Sequence, residues 1–219
     1  MPVITVSRQF GAGAAAVGRL LARRFAAEYL DRGVVFRAAQ RAGIPLALAE
    51  ELDERAPGWL TRLGMAFGAA YPEVVVPYLS PTVPVPSEDQ RLAELTRGVI
   101  LEAAERGNAV IVGRGAAFIL ADRPGVLHVQ LEASLEARIR YCMMEAEEVP
   151  RDARPGEAPL RRLCLEVDRA RAAYVRRHFG VDWRDPSHYH LVIDTGRLGL
   201  ETAVEVIALA AERLAGRER

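Results

Sequence analysis

The chain contains no lysine, so all 29 of its basic side chains are arginines. They are matched by 29 acidic side chains, which gives a formal net charge of zero and an isoelectric point near 6.9. A neutral chain of this kind has no general attraction for nucleic acid or for an anionic membrane surface, and we expect neither as a partner. If a permanently charged side chain binds a phosphate group here, that side chain is an arginine.

Cysteine and long apolar runs are scarce as well. Cys142 and Cys164 are the only two cysteines, and they lack the CxxC or Cys/His spacing of a metal site. This usage favours a reducing compartment and argues against a disulfide or zinc scaffold. No segment approaches 18 uncharged apolar residues, and no basic flank with a long apolar stretch follows Met1. We therefore expect a cytoplasmic protein without a membrane segment.

Short apolar runs alternate with helical patterns along the chain. Strands are predicted at residues 3–7, 109–112, 126–131 and 191–195. Helices are predicted at residues 14–28, 33–42, 46–55, 88–106, 134–147, 160–179 and 200–215. Near-continuous apolar strands alternating with helices are typical of a parallel sheet covered on both faces. We predict an α/β three-layer sandwich, a parallel sheet flanked by helices, formed by one domain over residues 1–219.

Two stretches interrupt this alternation. Residues 71–86 hold prolines at positions 72, 77, 81, 84 and 86 and show no helical period, which predicts an extended or loop insertion. Two roles stay open for it: a flexible flap, or an oligomer contact such as that of a homodimer. Residues 150–159 begin and end with proline and separate two arginine-rich helices. At smaller scale, Gly107 is predicted to end a helix and Ser134 to cap one.

A glycine-containing turn follows the first strand and opens a helix. Gly11, Ala12 and Gly13 occupy the turn, and Ala14 and Ala15 begin the helix. A helix N-terminus approached by such a turn presents free N–H groups and a positive dipole end to an anion, so these five residues form a candidate phosphate-binding loop. An ordinary strand-to-helix turn with two glycines explains the same residues equally well.

Further segments favour the phosphate-binding loop over the ordinary turn. Taken together, residues 4–11, 29–37, 111–116, 168–171 and 182–195 resemble the cytidylate kinase-like family of nucleoside monophosphate kinase folds. The resemblance covers nearly the whole chain. It implies a P-loop-type sheet, a monophosphate-binding segment at about residues 31–106 and a lid at about residues 148–160. It also implies ATP with Mg²⁺ and a nucleoside monophosphate such as CMP as ligands, with no metal held tightly by the protein.

The resemblance assigns roles on the acceptor side. Asp31, Gly33 and Arg37 stand at the Asp-x-Gly-x-x-x-Arg spacing that lines the monophosphate site of cytidylate kinases, with Arg37 on the acceptor phosphate. Arg114 matches the arginine of the Gly-Arg segment at a strand end. Arginine suits this task because its planar fork makes bidentate, charge-assisted bonds to phosphate oxygens.

The resemblance also predicts a catalytic set of arginines. Arg138 lies on the helix that enters the lid, together with Arg140, and Arg169 and Arg171 lie on the helix that leaves it. For any single arginine on these helices, a solvated helical face is the alternative. Arg8, which adjoins the glycine turn, completes the predicted catalytic set.

The chain departs from the family pattern at three points. Ala14 and Ala15 stand where a Walker loop has its lysine and magnesium-holding hydroxyl, and Gly115 stands where cytidylate kinases have an aspartate. Arg8 is the favoured replacement for the lysine, ahead of Arg19, which lies more than one turn along the helix. Two functions therefore stay open: a phosphotransferase, or a catalytically impaired protein that binds a nucleotide or a small phosphate ligand.

Histidines offer one further interpretation. His188 and His190 alternate along a chain that enters a strand, a spacing that two metal ligands could have. No third ligand stands close in sequence, so we expect polar neighbours rather than a metal site. His128 lies inside an apolar strand and is expected to be a hydrogen-bonded core residue.

Overall fold

The computed structural model describes residues 2–31, 86–146 and 154–217. In this part of the chain, five parallel strands form one sheet in the order β2-β3-β1-β4-β5. The strands are β1 (Val3–Arg8), β2 (Glu28–Leu30), β3 (Ala109–Val112), β4 (Val126–Glu132) and β5 (Leu191–Asp194). The helices are α1 (Ala14–Phe25), α2 (Pro86–Arg106), α3 (Ala116–Ile119), α4 (Leu135–Glu145), α5 (Glu157–Phe179), α6 (Thr195–Leu198) and α7 (Leu200–Arg217).

β1 is the central strand, and all six of its residues are buried. It pairs with β3 from Val3↔Ala109 onward and with β4 from Val3↔Val126 onward, so its backbone is bonded on both sides. A strand covered by helices on both faces must be apolar throughout, which is why the apolar run after Met1 predicts it. The predicted α/β architecture with a parallel sheet flanked by helices is confirmed.

Helices cover the two faces of the sheet with separate apolar clusters. α1 and α7 pack on one face, where Val17, Leu21 and Ile207 are fully buried. α2 and α3 pack on the other face through Ile100 and Leu120. A third cluster joins α4 to α5 beyond the carboxyl end of β1. Because the chain leaves β1 toward one side of the sheet and β3 toward the other, a crevice is expected where these two strands end.

The edge strand β2 is missing from the pattern-based prediction, which extends the first helix to residue 28. The helix ends at Phe25 because Ala26 takes a left-handed conformation with φ 47°. Asn108, which is also left-handed at φ 52°, donates its side-chain amide to the carbonyls of Phe25 and Ala26. Three residues paired on one side only, such as Glu28–Leu30, carry too short a pattern to be recognised.

Local signals at two helix ends agree with the prediction. The Ser134 hydroxyl accepts a hydrogen bond from the Ala137 N–H at the start of α4, and Gly107 follows α2 with φ 72°. The predicted helices at residues 33–42 and 46–55 and most of the proline-rich stretch 71–86 lie outside the described residues. None of the helices described above combines the length and apolar character that crossing a bilayer requires.

Candidate functional site

The glycine loop, residues 9–13, joins β1 to α1 at the carboxyl edge of the sheet. Gly11 and Gly13 have φ values of 78° and 74°, a region that L side chains rarely adopt. Gly13 is the N-cap of α1, and the first turn of this helix contains no acidic side chain. The N-terminus of α1 therefore begins at the same edge as the crevice, with its positive dipole end uncompensated.

Several loop amides have no protein acceptor. The Ala12 N–H donates to the Gln9 carbonyl, and the Val17 N–H makes the first bond of the helical ladder to the Gly13 carbonyl. Between them, in the described part of the chain, the N–H groups of Gly13, Ala14 and Ala15 donate to no protein atom. These are the groups that a helix N-terminus offers to an anion.

Close packing explains why glycine stands at both loop positions. A Cβ on Gly11 would lie 2.9 Å from the Arg138 carbonyl oxygen and 3.0 Å from the Cys142 Sγ, both on α4. A Cβ on Gly13 would lie 2.4 Å from a methyl carbon of Leu200, on α7. The loop therefore lies between two helices that approach its backbone directly.

Arg8, the last residue of β1, is buried with 5% of its surface exposed. Its guanidinium lies against Gly113, just beyond the end of β3: a Cβ on Gly113 would lie 1.9 Å from the Arg8 Nη1. The Arg8 guanidinium therefore lies between the ends of β1 and β3, from which the chain continues to opposite faces of the sheet. This is the position at which ligands bind in open α/β sheets.

A second turn, Gly113–Arg114–Gly115, ends β3 at the same edge, and we call it the GRG turn. All three residues are left-handed, with φ values of 77°, 56° and 69°. Arginine in this region is unfavourable by about 1–2 kcal/mol, because its Cβ crowds the backbone. Such strain is concentrated at functional sites, which makes Arg114 a second candidate for ligand binding.

Helices α4 and α5 hold the backbone of the glycine loop through one buried ion pair. The Arg138 Nη1 lies 2.6 Å from the Asp168 Oδ2, and the two side chains are only 6% and 3% exposed. The Asp168 Oδ1 accepts a hydrogen bond from the Phe10 N–H at 2.9 Å, and the Arg138 Nη1 donates to the Phe10 carbonyl at 3.2 Å. We call this arrangement the Arg138–Asp168 clamp. It binds both polar backbone groups of a single loop residue.

The two other predicted lid arginines differ in position. The Arg171 Nη1 donates to the backbone carbonyl of Arg8 and lies 3.6 Å from the Asp168 Oδ1. Its guanidinium also lies 5.8 Å from the centre of the Trp183 ring. Arg169, by contrast, is exposed on α5. The structure therefore brings Arg8, Arg138 and Arg171 together at the glycine loop and leaves Arg169 at the surface.

The opposite side of the loop is held by residues that pattern reasoning did not select as site residues. The Thr195 hydroxyl donates to the carbonyls of Ala12 and Glu132, and the Gln9 side chain accepts from the Ala133 N–H. Thr195 is predicted as a strand residue, but β5 ends at Asp194 and Thr195 begins α6. Its place in a family-like segment was the only sequence signal for this contact.

A tyrosine at the end of the 3₁₀ turn Pro186–His188 also reaches β1. The Tyr189 hydroxyl donates to the Trp183 carbonyl at 2.7 Å. Burial raises the pKa of Tyr189 to about 12, and a hydrogen bond with Ser7 partly offsets this increase. Tyr189 is therefore a neutral hydrogen-bonding group next to the end of β1.

His128 is a core residue, as expected. Its Nδ1 lies 2.8 Å from the Thr5 hydroxyl, which joins β4 to β1, and its ring stacks on His190 at 5.1 Å. Burial, followed by the nearby His190, lowers the pKa of His128 to about 4. Within the described residues, no group of three His, Cys, Asp or Glu side chains is arranged to hold a metal ion.

The two cysteines lie next to the glycine loop. Cys142 on α4 and Cys164 on α5 are fully buried free thiols in the same apolar cluster as Phe10. A hydrogen bond with the Cys142 thiol lowers the pKa of Cys164, and the nearby Arg138 charge acts in the same direction. The two thiols therefore contact each other across the α4–α5 packing.

The remaining predicted site residues are only partly described. Asp31 directly follows β2 and is half-buried at the carboxyl edge of the sheet. Gly33 and Arg37 lie outside the described residues, as does the predicted lid from residue 148 to residue 153. Of the residues predicted for the acceptor side, Asp31 and Arg114 are described, and both lie at the carboxyl edge of the sheet.

A buried parallel sheet with a glycine loop and a helix N-terminus at its carboxyl edge defines a doubly wound α/β protein, and that edge is the candidate ligand site. The family can be stated as well. Residues 3–197 match the model of the cytidylate kinase-like family, and the chain belongs to that family. Cytidylate kinase from Aeropyrum pernix is 27% identical over 208 residues, covering 93% of this chain and 95% of that relative. Cytidylate kinase from Symbiobacterium thermophilum is 30% identical over 179 residues, covering 73% and 77%.

Solved structures share the fold. An uncharacterized protein from Eubacterium ventriosum superposes with a TM-score of 0.64 at 20% identity, covering 97% of this chain and 99% of that chain. Shikimate kinase from Bacteroides thetaiotaomicron superposes with a TM-score of 0.50 at 16% identity, covering 96% and 98%. At these identities the similarity concerns the architecture of the chain.

Proposed function

We propose that this protein transfers the γ-phosphoryl group of ATP to a nucleoside monophosphate such as CMP. The observation that carries the proposal is the open N-terminus of α1, where the amides of Gly13, Ala14 and Ala15 have no acceptor among the described residues. Membership of the cytidylate kinase-like family supports the same reaction. The names of the relatives from Aeropyrum pernix and Symbiobacterium thermophilum support CMP as the acceptor.

Arg8 takes the part of the missing lysine in this proposal. The N-terminal dipole of an exposed helix contributes about 0.3–1 kcal/mol to anion binding, which is too little to hold a triphosphate. A hydrogen bond to a charged group contributes about 1.5–3 kcal/mol, and more where water is excluded. Arg8 is the buried cation at the end of β1, so it is our choice for the β- and γ-phosphates.

The donor set of the described residues does not fit a protein-bound Mg²⁺. Asp168 is occupied by Arg138 and the Phe10 N–H, and Gly115 stands at the position of the family aspartate. Mg²⁺ commonly keeps several waters and binds through substrate phosphates. In our proposal the ion accompanies ATP as part of the substrate and takes no ligand from the residues described.

On the acceptor side, Arg114 and Asp31 bind the monophosphate together with Gly33 and Arg37. The strained left-handed backbone at Arg114 supports this assignment, since backbone strain is enriched at ligand sites and Arg114 lies at the carboxyl edge of the sheet. Arg169 and the lid at about residues 148–160 then close over the phosphates and exclude water. A single domain, a cytoplasmic location and a homodimer remain predictions.

A second candidate function is binding without turnover. Ala14 and Ala15 in place of the lysine and hydroxyl support it, because these groups supply charge neutralisation in P-loop enzymes. Such a protein holds a nucleotide or a small phosphate ligand at the same loop. The two candidates differ only in whether phosphoryl transfer occurs.

The test is a coupled ADP-release assay with ATP, Mg²⁺ and CMP, together with calorimetric titration of each nucleotide. We expect weak ATP binding and slow turnover in the wild type, and no detectable turnover after Arg8→Ala. Ala15→Lys is expected to strengthen ATP binding about tenfold or more, the value of one charge-assisted bond.

Arg19→Ala is the matched control, because Arg19 is an exposed arginine on α1 and its loss is expected to change neither quantity. ATP and CMP binding without turnover would select the second candidate. Turnover of about 1–100 per second that survives Arg8→Ala would contradict the role of Arg8.

A further inference from the structure

Arg138 and Asp168 contact the backbone of the glycine loop from the α4–α5 side. Their burial and their hydrogen bonds argue against direct contact with a substrate. Arg138 is 5% exposed, and its Nη1 is shared between the Asp168 carboxylate and the Phe10 carbonyl. Asp168 is 2% exposed and uses its second oxygen for the Phe10 N–H. Both side chains are therefore directed at the protein backbone.

We propose that Arg138 and Asp168 are positioning residues that fix the glycine loop in its phosphate-binding conformation. This rests on the phosphate-binding role proposed above for the loop. The clamp holds the N–H and the carbonyl of Phe10, which precedes Gly11 by one peptide, so it sets the orientation of the chain as it enters the two left-handed glycines.

The free-energy cost of burying two charges indicates that the clamp serves to position the glycine loop rather than to stabilise the fold. Burying a guanidinium and a carboxylate costs several kcal/mol of lost hydration for each ion, and their attraction roughly repays it. An apolar pair of similar volume commonly gives the same or greater stability at such sites. The α4–α5 cluster around the clamp is apolar already, so an ion pair is not needed to join these helices.

A glycine-rich loop, in contrast, needs an external constraint. Glycine loses more conformational freedom on ordering than any other residue, so the region around Gly11 and Gly13 is costly to hold in one conformation. A loop that is fixed before the ligand arrives avoids this cost at binding. Thr195 holds the other end of the loop through the Ala12 carbonyl, so the clamp and Thr195 together fix it on both sides.

The experiment removes both charges at once, with Arg138→Met combined with Asp168→Leu. We expect a moderate fall in melting temperature. Both charges of the buried pair are removed together, but the Phe10 N–H, the Phe10 carbonyl and the Arg171 guanidinium each lose one contact. In the ligand-free protein we expect hydrogen exchange of the Ala12 N–H, which donates to the Gln9 carbonyl within the loop, to become about tenfold faster or more. We call this rate loop exchange. ATP affinity is expected to fall about tenfold, while CMP affinity stays unchanged.

The matched control replaces an exposed arginine–glutamate pair that also joins two helices. Arg24 and Glu212 are 3.2 Å apart, with side chains 46% and 49% exposed, and join α1 to α7 away from the loop. Arg24→Met combined with Glu212→Leu is expected to leave loop exchange and both affinities unchanged.

The outcomes separate the clamp from the proposed function. Unchanged loop exchange and unchanged ATP affinity in the folded double variant would overturn the clamp. An equal fall in both affinities with a large drop in melting temperature would overturn it too, since that describes general destabilisation. If the wild type binds neither nucleotide, the proposed function fails, and loop exchange in the ligand-free variants still decides the clamp.

If the double variant does not fold, a milder single variant tests whether the clamp fixes the glycine loop. Arg138→Lys keeps the positive charge, but the lysine ammonium ends one bond short of the position of the Arg138 Nη1, which makes both contacts. The shorter side chain therefore cannot keep the Asp168 carboxylate and the Phe10 carbonyl both at hydrogen-bond distance. We expect loop exchange about threefold faster or more in this variant, with exchange elsewhere in α4 and α5 unchanged. Unchanged loop exchange in this variant would also overturn the clamp.

Discussion

Two glycine turns end neighbouring strands at the same edge of the sheet, and they differ in what they carry. The glycine loop follows β1, has left-handed Gly11 and Gly13, and opens the 12-residue helix α1. The GRG turn follows β3, has left-handed Gly113 and Gly115, and opens the four-residue helix α3. The first turn has alanine between its glycines, and the second has a left-handed arginine.

A Walker loop offers a phosphate both backbone N–H groups and a charged side chain from one segment, and the two turns differ in which of these they supply. The glycine loop supplies backbone N–H groups and carries no charged side chain of its own. The GRG turn supplies the strained Arg114 and provides, at Gly113, the space that the Arg8 guanidinium occupies. Under the proposed function, the amides come from the glycine loop, and the cations come from the end of β1, at Arg8, and from the GRG turn, at Arg114. The relative position of the two turns then determines whether amides and cations can reach the same phosphate.

The largest expected effect comes from filling that space. Gly113→Ala would place a Cβ 1.9 Å from the Arg8 Nη1 at a left-handed backbone position. We expect a loss of about 3 kcal/mol in the free energy of unfolding, from backbone strain plus displacement of a buried side chain, measured by urea denaturation. ATP affinity is expected to fall more than tenfold, because the guanidinium can no longer lie between the strand ends.

Gly180→Ala is the control for the strain alone. Gly180 is also left-handed, with φ 73°, but beyond its chain neighbours no atom of the described residues lies within 4 Å of the position that a Cβ would take. We expect this substitution to cost about 1–2 kcal/mol and to leave ATP affinity unchanged. Equal stability losses in the two variants would show that Arg8 yields easily to the added methyl group.

The second prediction concerns Arg114 and separates its effect on stability from its effect on CMP binding. Arg114→Gly relieves the left-handed strain and is expected to raise the free energy of unfolding by up to about 1 kcal/mol. CMP affinity is expected to fall about tenfold, measured by calorimetry, through loss of one charge-assisted phosphate contact.

Ala26→Gly is the matched control for strain relief, since Ala26 is left-handed at φ 47° and lies at the far end of α1. It is expected to gain similar stability with no change in CMP affinity. A CMP affinity that is unaffected by Arg114→Gly would contradict the acceptor role of this arginine and would leave the GRG turn as a feature of the fold.

The third and smallest expected effect concerns the strand that carries the glycine loop. The pKa of His128 is lowered to about 4 in the folded protein and is near 6.5 when the chain is unfolded. Between these values the unfolded chain binds more protons, so the free energy of unfolding falls as the pH falls. From pH 7 to pH 5.5 we expect a loss of about 1 kcal/mol, measured by urea denaturation at each pH.

The same comparison of pH values in His128→Gln tests the cause. The loss is expected to disappear in this variant and to persist in His188→Gln, which removes a histidine outside the sheet core. A slope that survives His128→Gln would mean that the Thr5–His128 contact between β1 and β4 does not determine the pH dependence.

Sequence patterns predicted the sheet because burial on both faces leaves a strong signal. β1, β3, β4 and β5 read as apolar runs, and their bounds differ from the prediction by one residue at most. β2 was missed, since a three-residue edge strand has no period and depends on a distant residue, Asn108, to end the preceding helix. Helix ends followed local chemistry at Ser134 and Gly107.

The site was predictable where chemistry is local and unpredictable where it depends on long-range contacts. The glycine loop and the GRG turn could be recognised from residues adjacent in sequence. The partners of the loop could not: Asp168 lies 158 residues from Phe10, and Thr195 lies 183 residues from Ala12. No spacing rule distinguishes an arginine that contacts phosphate from one, such as Arg138, that holds the backbone.

The reactivity of the two thiols reports how often α4 and α5 separate. Cys142 and Cys164 are the only cysteines of the chain, and both are fully buried where α4 meets α5. A thiol reagent can therefore react only during moments when these helices separate. The rate of alkylation therefore depends on how often α4 and α5 separate. The Arg138–Asp168 clamp joins the same two helices. The native sequence consequently carries its own kinetic reporter, without any engineered label, for the lifetime of the packing behind the glycine loop.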